Sequence, residues 1–164
     1  MNIFPTRILL AADGSEDAAR ATEAAVELSK TTGSELHVAY VGQNAYSATL
    51  IYPQATDPGG IEQEDPAVLE ELEQQFERIA RQILDEEVEK VRAAGGTAVQ
   101  AHLRIGKAAT EIVDLAEKLS AGLIVIGSRG LSGIRRALIG SVSDSVVRHA
   151  HCPVLVVRKE ERGG

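Results

Sequence analysis

The sequence predicts a single α/β domain: a five-stranded parallel sheet in the order 3-2-1-4-5 with helices on both faces. Three observations predict it. Short apolar runs alternate with amphipathic helical stretches along the whole chain, the pattern of βα units joined by right-handed crossovers. Aromatics make up 3% of the 164 residues while hydrophobic residues reach 44%, so the core must be built from small aliphatics, which suit parallel strands covered on both faces. The two most polar strand exits, Asp13-Gly14-Ser15 and Gly127-Ser128-Arg129-Gly130, share one crevice only if the first and fourth strands are neighbours, and that sets the order.

Arg7 to Ala12 is apolar enough for a strand buried on both faces, and it stops at a turn in which Ser15 is a helix N-cap. Ala18, Ala21, Ala25 and Leu28 then recur at helical spacing, and Gly33 is placed to end that helix in a left-handed conformation. Glu35 to Val41 is the second strand. Residues 43–66 carry Pro53, Pro58, Pro66 and an Asp-Pro-Gly-Gly run, too broken for a regular element, and are read as a flexible insertion of one domain spanning 1–164. Asp65 and Pro66 open a long amphipathic helix, marked by Leu69, Leu72, Phe76, Ile79, Ile83, Val88 and Val91 and closed by Gly95 and Gly96. Its stripe is read as core packing and not a coiled-coil seam, because this helix has to cover one face of the sheet.

Thr97 to Ile105 alternates, with Val99, Ala101, Leu103 and Ile105 on one face and Gln100, His102 and Arg104 on the other, which suits a half-wet strand near a sheet edge. Ala108, Ile112, Leu115 and Leu119 mark a third helix, Leu123 to Gly127 a fully buried strand, Ser141 to Ala150 a fourth helix, and Pro153 to Arg158 the last strand.

A formal charge of -7 argues against nucleic acid or an anionic membrane as a partner of the whole molecule, so any anion site has to be local. The single cysteine, Cys152, has no intramolecular disulfide partner, the N-terminus lacks a basic region ahead of its short apolar run, and the apolar runs fall well short of the roughly 20 residues that span a bilayer. A cytoplasmic protein is expected.

The local anion site is legible in the loop after the fourth strand. Gly127, Gly130 and Gly133 let the backbone curl and direct several N–H groups into one concavity. Gly140, Ser141, Val142 and Ser143 open the fourth helix, where free N–H groups and the helix dipole also favour an anion. Two facing donor arrays suit a polyphosphate. Arg129, Arg135 and Arg136 add local positive charge, although a reading in which the glycines only turn the chain and Arg135 and Arg136 are solvated or ion-paired stays open at this point. The loop is not a Walker A motif, since Lys107 is followed by Ala108 and not by Ser or Thr, nor a dinucleotide fingerprint, since Gly-x-Gly is missing.

The pattern Gly127, two residues, Gly130, nine residues, Gly140-Ser141 resembles the ATP-binding signature of the universal stress protein family, and "RILLAADGS" and "HAHCPVLVVR" resemble its opening and closing strands. The resemblance covers nearly the whole chain and is weakest across 43–66. It implies a Rossmann-like fold of the adenine nucleotide alpha-hydrolase type, a homodimer, a role as a nucleotide-dependent regulatory or stress-response protein, and a bound ATP with Mg2+ or Mn2+. Matched by position, Ala12 would line the nucleotide site, Asp13 would stand by the ribose or the metal, and the backbone of Val41 by the adenine. Gly127, Arg129 and Gly130 would line the phosphates from one side, and Gly140, Ser141, Val142 and Ser143 from the other. This chain has His151 where relatives often have Pro, outside the proposed site.

Asp13 has two readings, a turn-capping residue or a carboxylate holding a divalent ion on phosphate oxygens. His149, His151 and Cys152 are soft-metal ligand types close together, without a second cluster to complete a tetrahedral site. His37 and His102 lie on strands without local carboxylate partners, so packing or solvent exposure is the default for both. The apolar Val154 to Val157, at a sheet edge, predicts two-fold pairing with its own copy through Pro153 to Arg158. Catalysis is the rival to a binding role: a slow ATP hydrolase or phosphotransferase needs a base, and Asp13 is the one evident acid at the crevice. Another adenylate such as cyclic AMP is a further alternative.

Overall fold

The computed structural model describes residues 6–13, 15–42, 65–96, 99–128 and 140–158. Most of the predicted insertion, and with it Arg129, Gly130, Gly133, Arg135 and Arg136, therefore lies outside the described residues. Five parallel strands, β1 (Arg7–Ala12), β2 (Glu35–Gly42), β3 (Val99–Ile105), β4 (Leu123–Gly127) and β5 (Val154–Val157), pair in the order β3-β2-β1-β4-β5. Four helices, α1 (Glu16–Thr32), α2 (Pro66–Ala93), α3 (Ala108–Lys118) and α4 (Ser141–His149), alternate with them. The predicted fold class and strand order are those observed. No helix of the described residues is long and apolar enough to cross a membrane.

The strand alternation sorts the core into two layers. Ile8, Leu10, Leu36, Val38 and Val125 face α1 and α2. Leu9, Ala11, Ala39, Ile124 and Ile126 face α3 and α4. Burying each large aliphatic contributes about 1.5–3 kcal/mol relative to leaving it in water. The caps read from the sequence recur in space. Ser15 accepts the Ala18 amide at the start of α1, and Gly33 closes that helix at φ 70°. Asp65 and Pro66 open α2 as N-cap and first-turn residues.

Two expectations change. The line of α2 that is buried runs through Ala80, Leu84, Val88 and Val91, whereas Leu69 and Ile79 are 36% and 56% exposed. The reason is where the helix meets the sheet: a methyl group on Gly42, the last residue of β2, would lie 2.9 Å from Ala80 Cβ. The crossover helix runs antiparallel to its strands, so the turns before Ala80 extend past the carboxyl end of β2, with no strand beneath them.

On the edge strand β3 the polar face is half-wet as predicted, with Gln100 exposed and α3 over His102 and Arg104, whereas Ala101 and Ile105 on the apolar face are exposed. Arg104 donates to Glu111 Oε2 at 2.9 Å and to Asp114 Oδ2 at 2.8 Å, tying strand to helix. His102 Nε2 sits 2.9 Å from Nδ1 of the buried His37, with the rings stacked at 5.2 Å between centroids. A contact of that kind holds one proton between the two nitrogens. The other nitrogen of His37, Nε2, has no hydrogen-bond partner among the described residues, and the nearby Glu35 Oε2 is 3.6 Å away. Burial, followed by the charges of His37 and Arg104, holds the His102 imidazole below its ordinary range.

That depression sets a pH dependence. The unfolded chain takes up the proton first as pH falls below the ordinary 6.5 of His102. The stabilising contribution is therefore complete above that value and is lost as pH drops from it toward the folded-state pKa, by up to about 1.4 kcal/mol per pH unit for one proton. Urea unfolding at about pH 7.5 and about pH 5.5 should show this loss, and His102→Gln should flatten it. An equal loss in the variant would assign the effect to other groups.

Candidate functional site

The carboxyl ends of β1 and β4 lie side by side, with Ala11 opposite Ile126. β1 leads through Asp13 into α1, and β4 leads through Gly127 and Ser128 toward α4, so the order of the sheet reverses between them. In open α/β sheets the crevice at such a reversal is where ligands bind.

The two exits are locked together. A methyl group on Gly127 would lie 2.8 Å from the Asp17 carbonyl carbon and 2.9 Å from the Ala18 amide nitrogen. Glycine is thus required there by the close packing of the first turn of α1 on the end of β4. Directly beside that contact the buried Ser128 hydroxyl donates to the buried Asp17 carboxylate at 2.6 Å. Hydrogen bonds to a charged group of this kind contribute about 1.5–3 kcal/mol.

The start of α4 is fastened to the same point. The Gly140 amide donates to the Ser128 carbonyl. Ser143 Oγ donates to the Gly127 carbonyl at 2.8 Å and lies 3.2 Å from the Ser128 carbonyl. Gly127 and Gly140, on either side of the loop between β4 and α4, are therefore neighbours. The Gly140 amide and the Ser143 hydroxyl are committed to this junction.

What α4 leaves over is its helix terminus. Its N-cap is Gly140, with no side-chain cap, and Asp144 N is the first amide to reach an acceptor within the helix, Gly140 O at 2.9 Å. The amides of Ser141, Val142 and Ser143 precede it and have no intrahelical acceptor. Ser141 and Val142 are exposed. Such a terminus carries partial positive charge and favours an anion.

On the β1 side Asp13 is half-buried, and its Oδ1 accepts the Ser15 amide at 2.9 Å, a turn contact that leaves Oδ2 out of the turn. Ala12 is buried and pairs with Tyr40. The Tyr40 phenol is held above its ordinary range by burial and then by the charge of Asp13. On β2, Glu35 N donates to Thr6 O while Gly106 N donates to Gly42 O. Odd-numbered residues thus turn their main-chain groups to β1 and even-numbered ones to β3. The Val41 carbonyl accordingly points to the β1 side, beyond Ala12, where that strand ends.

Of the residues the sequence singled out, Ala12, Asp13 and Val41 flank one side of the crevice, and Gly127, Gly140, Ser141, Val142 and Ser143 the other. Arg129 and Gly130 are outside the described residues. Asp17, Ser128 and Tyr40 were not singled out. For Asp17 the signal was present: it is four residues before Ala21 and eight before Ala25, on the buried stripe of α1. Elsewhere, His149 Nδ1 bonds to Ser145 O at 2.8 Å, His151 pairs with Glu117 at 2.8 Å, and burial pushes the Cys152 thiol up. Among the described residues no three His, Cys, Asp or Glu side chains form a group able to hold a metal by themselves.

Comparison with known proteins places this geometry among relatives. A family model described as the universal stress protein family matches residues 5–158. Universal stress protein YxiE of Bacillus subtilis (strain 168) is 34% identical over 152 residues, covering 93% of this chain and 98% of its own. The solved structure of universal stress protein UspA from Lactobacillus plantarum matches with a TM-score of 0.71 and 25% identity over 93% of this chain and 97% of that one. The crystal structure of a universal stress protein in complex with cAMP shares the fold, with a TM-score of 0.63 and 24% identity over 93% of this chain and 96% of that one.

The junction makes a direct prediction. Gly127→Ala forces its new methyl group into the α1 backbone, which cannot swing aside as a flexible side chain does, and should cost about 1–3 kcal/mol. Denaturant unfolding reads the loss as a lowered midpoint at unchanged slope. A midpoint equal to that of the unmodified protein would show that α1 and β4 are not in close contact.

Proposed function

This chain belongs to the universal stress protein family, and from that membership we propose that it binds an adenine nucleotide, ATP with Mg2+ or Mn2+, at the crevice between β1 and β4, as a homodimer whose nucleotide state is its regulatory signal. The observation that carries this reading is the uncapped start of α4 fastened against the end of β4 through Ser128 and Gly127. That arrangement sets amides without an intrahelical acceptor at the place where a parallel sheet takes its ligand.

The roles follow from the chemistry of each group. The amides of Ser141, Val142 and Ser143 receive phosphate oxygens, and Gly127, Arg129 and Gly130 line the same phosphates. The absence of a side chain at Gly140 lets the phosphates approach the helix. The Val41 carbonyl is an acceptor suited to the exocyclic amine of adenine, and Ala12 lines the floor beneath the ribose. A single carboxylate fits Mg2+ or Mn2+ in this setting, because Mg2+ is commonly held by one or two carboxylates together with substrate phosphates and water. Asp13 supplies it, and the ion would neutralise phosphate charge beside that carboxylate.

A second reading is favoured by one comparison: a universal stress protein of the same fold was solved in complex with cAMP, and a cyclic monophosphate needs only the α4 terminus. For the dimer, β5 is the last strand of the sheet, and Leu155 is 38% exposed on it. Two-fold pairing of β5 with its copy would cover an edge that otherwise invites uncontrolled association.

Calorimetry with ATP, cAMP and a nucleotide panel tests the ligand. Gly140→Val should weaken ATP binding at least about tenfold by filling the approach to the helix terminus, with the circular dichroism spectrum retained. Asp13→Ala should remove the metal-dependent part of the affinity. Unchanged affinity in Gly140→Val would place the phosphates elsewhere, and rapid phosphate release abolished by Asp13→Ala would replace binding with catalysis. For assembly, sedimentation should show a dimer at micromolar concentration that Val156→Pro converts to monomer, since odd-numbered residues of β5 bond to β4 and the Val156 N–H faces the free edge; a dimer indifferent to that change would need another interface.

A further inference from the structure

The structure assigns Asp17 as a positioning residue: its buried carboxylate, through Ser128, sets the spacing between the end of β4 and the anion-binding start of α4. The role rests on the nucleotide reading above, and Asp17 itself touches no nucleotide in it. Asp17 is 8% exposed and Ser128 3%, and they are 111 positions apart, so their 2.6 Å hydrogen bond is a tertiary contact sealed from water. The hydroxyl that Asp17 holds belongs to the residue whose carbonyl receives the Gly140 amide. Ser143 Oγ then closes the same junction from within α4, onto the carbonyls of Gly127 and Ser128.

The chain of contacts therefore runs from the first turn of α1, through Ser128, to the N-cap of α4. A helix terminus binds an anion only where its amides meet the ligand at hydrogen-bonding distance. Freeing Ser128 lets the Ser128 carbonyl and the Gly140 amide shift together, and the amides of Ser141 and Val142 move with them. Asparagine keeps an oxygen able to accept the Ser128 hydroxyl, so Asp17→Asn should preserve the spacing while removing a negative charge from the vicinity of the phosphates.

The test combines affinity with amide exchange. Asp17→Ala and Ser128→Ala should each weaken ATP binding roughly tenfold, the double variant should be no worse than Asp17→Ala alone, and Asp17→Asn should bind at least as tightly as the unmodified protein. In the nucleotide-free protein the Gly140 amide should exchange faster in both alanine variants. Val91→Ala is the control for general loss of stability: Val91 is fully buried on α2, about three turns from Ala80 and toward the amino ends of the strands, and this variant should melt earlier while keeping full ATP affinity. Should Asp17→Ala not fold, Ser128→Ala and Asp17→Asn carry the test. Unmoved affinity and unmoved Gly140 exchange in the alanine variants, or affinity losses that simply add in the double variant, overturn the role. Absence of any nucleotide affinity in the unmodified protein refutes the nucleotide reading, and slow Gly140 exchange that Asp17→Ala fails to accelerate then refutes the positioning role independently.

Discussion

The close approach of α1 to the end of β4 is the constraint on which the rest of the crevice depends. Gly127 has room for a hydrogen and nothing larger, because the backbone of Asp17 and Ala18 occupies the position of its side chain. That proximity brings Asp17 within 2.6 Å of the Ser128 hydroxyl, and Ser128 in turn receives the amide of Gly140. Remove the approach and the two walls of the crevice are no longer held in register. Glycine at a strand exit is often credited to ligand approach; here packing of helix on strand already requires it, and proximity to the ligand site is a consequence.

A second close approach shapes the opposite half of the sheet. Gly42 lets Ala80 sit on the end of β2, and this contact decides how α2 is placed lengthwise. Its C-terminal turns cover Leu36 and Val38, while the turns before Ala80 lie past the strand. The two layers of the core are otherwise ordinary aliphatic packing, so the positions where a side chain is missing fix the relative placement of helix and strand more tightly than the positions where one is present.

Among the described residues, three of the buried polar side chains, Asp17, Ser128 and Ser143, meet at the β4 junction. Asp17 accepts the Ser128 hydroxyl. Glu87, almost wholly buried on α2, accepts from Lys90 at 2.7 Å, and Arg104 is shared between Glu111 and Asp114. His37 departs from the pattern, with one nitrogen matched to His102 and the other without a hydrogen-bond partner among the described residues. A buried polar atom in that condition costs about 1–3 kcal/mol, and beside it the depressed His102 imidazole couples protonation to folding.

Much of this was written in local sequence. Strand and helix types and the caps at Ser15, Gly33 and Asp65 follow from hydrophobic period and turn chemistry, which depend on residues a few positions apart, and the strand order follows from the two polar strand exits that have to share one crevice. The glycines and serines of the crevice could be named for the same reason. What the tertiary structure alone decided is which polar groups meet across long separations: Asp17 with Ser128, His37 with His102, the Gly140 amide with the Ser128 carbonyl. It also decided which stripe of α2 is covered, because burial depends on where Ala80 meets Gly42 and not on the helix's own periodicity. Local propensity is set by neighbours along the chain, whereas a hydrogen bond or a close approach is set by the superposition of crossovers that bring distant segments together, and no spacing within either segment records it.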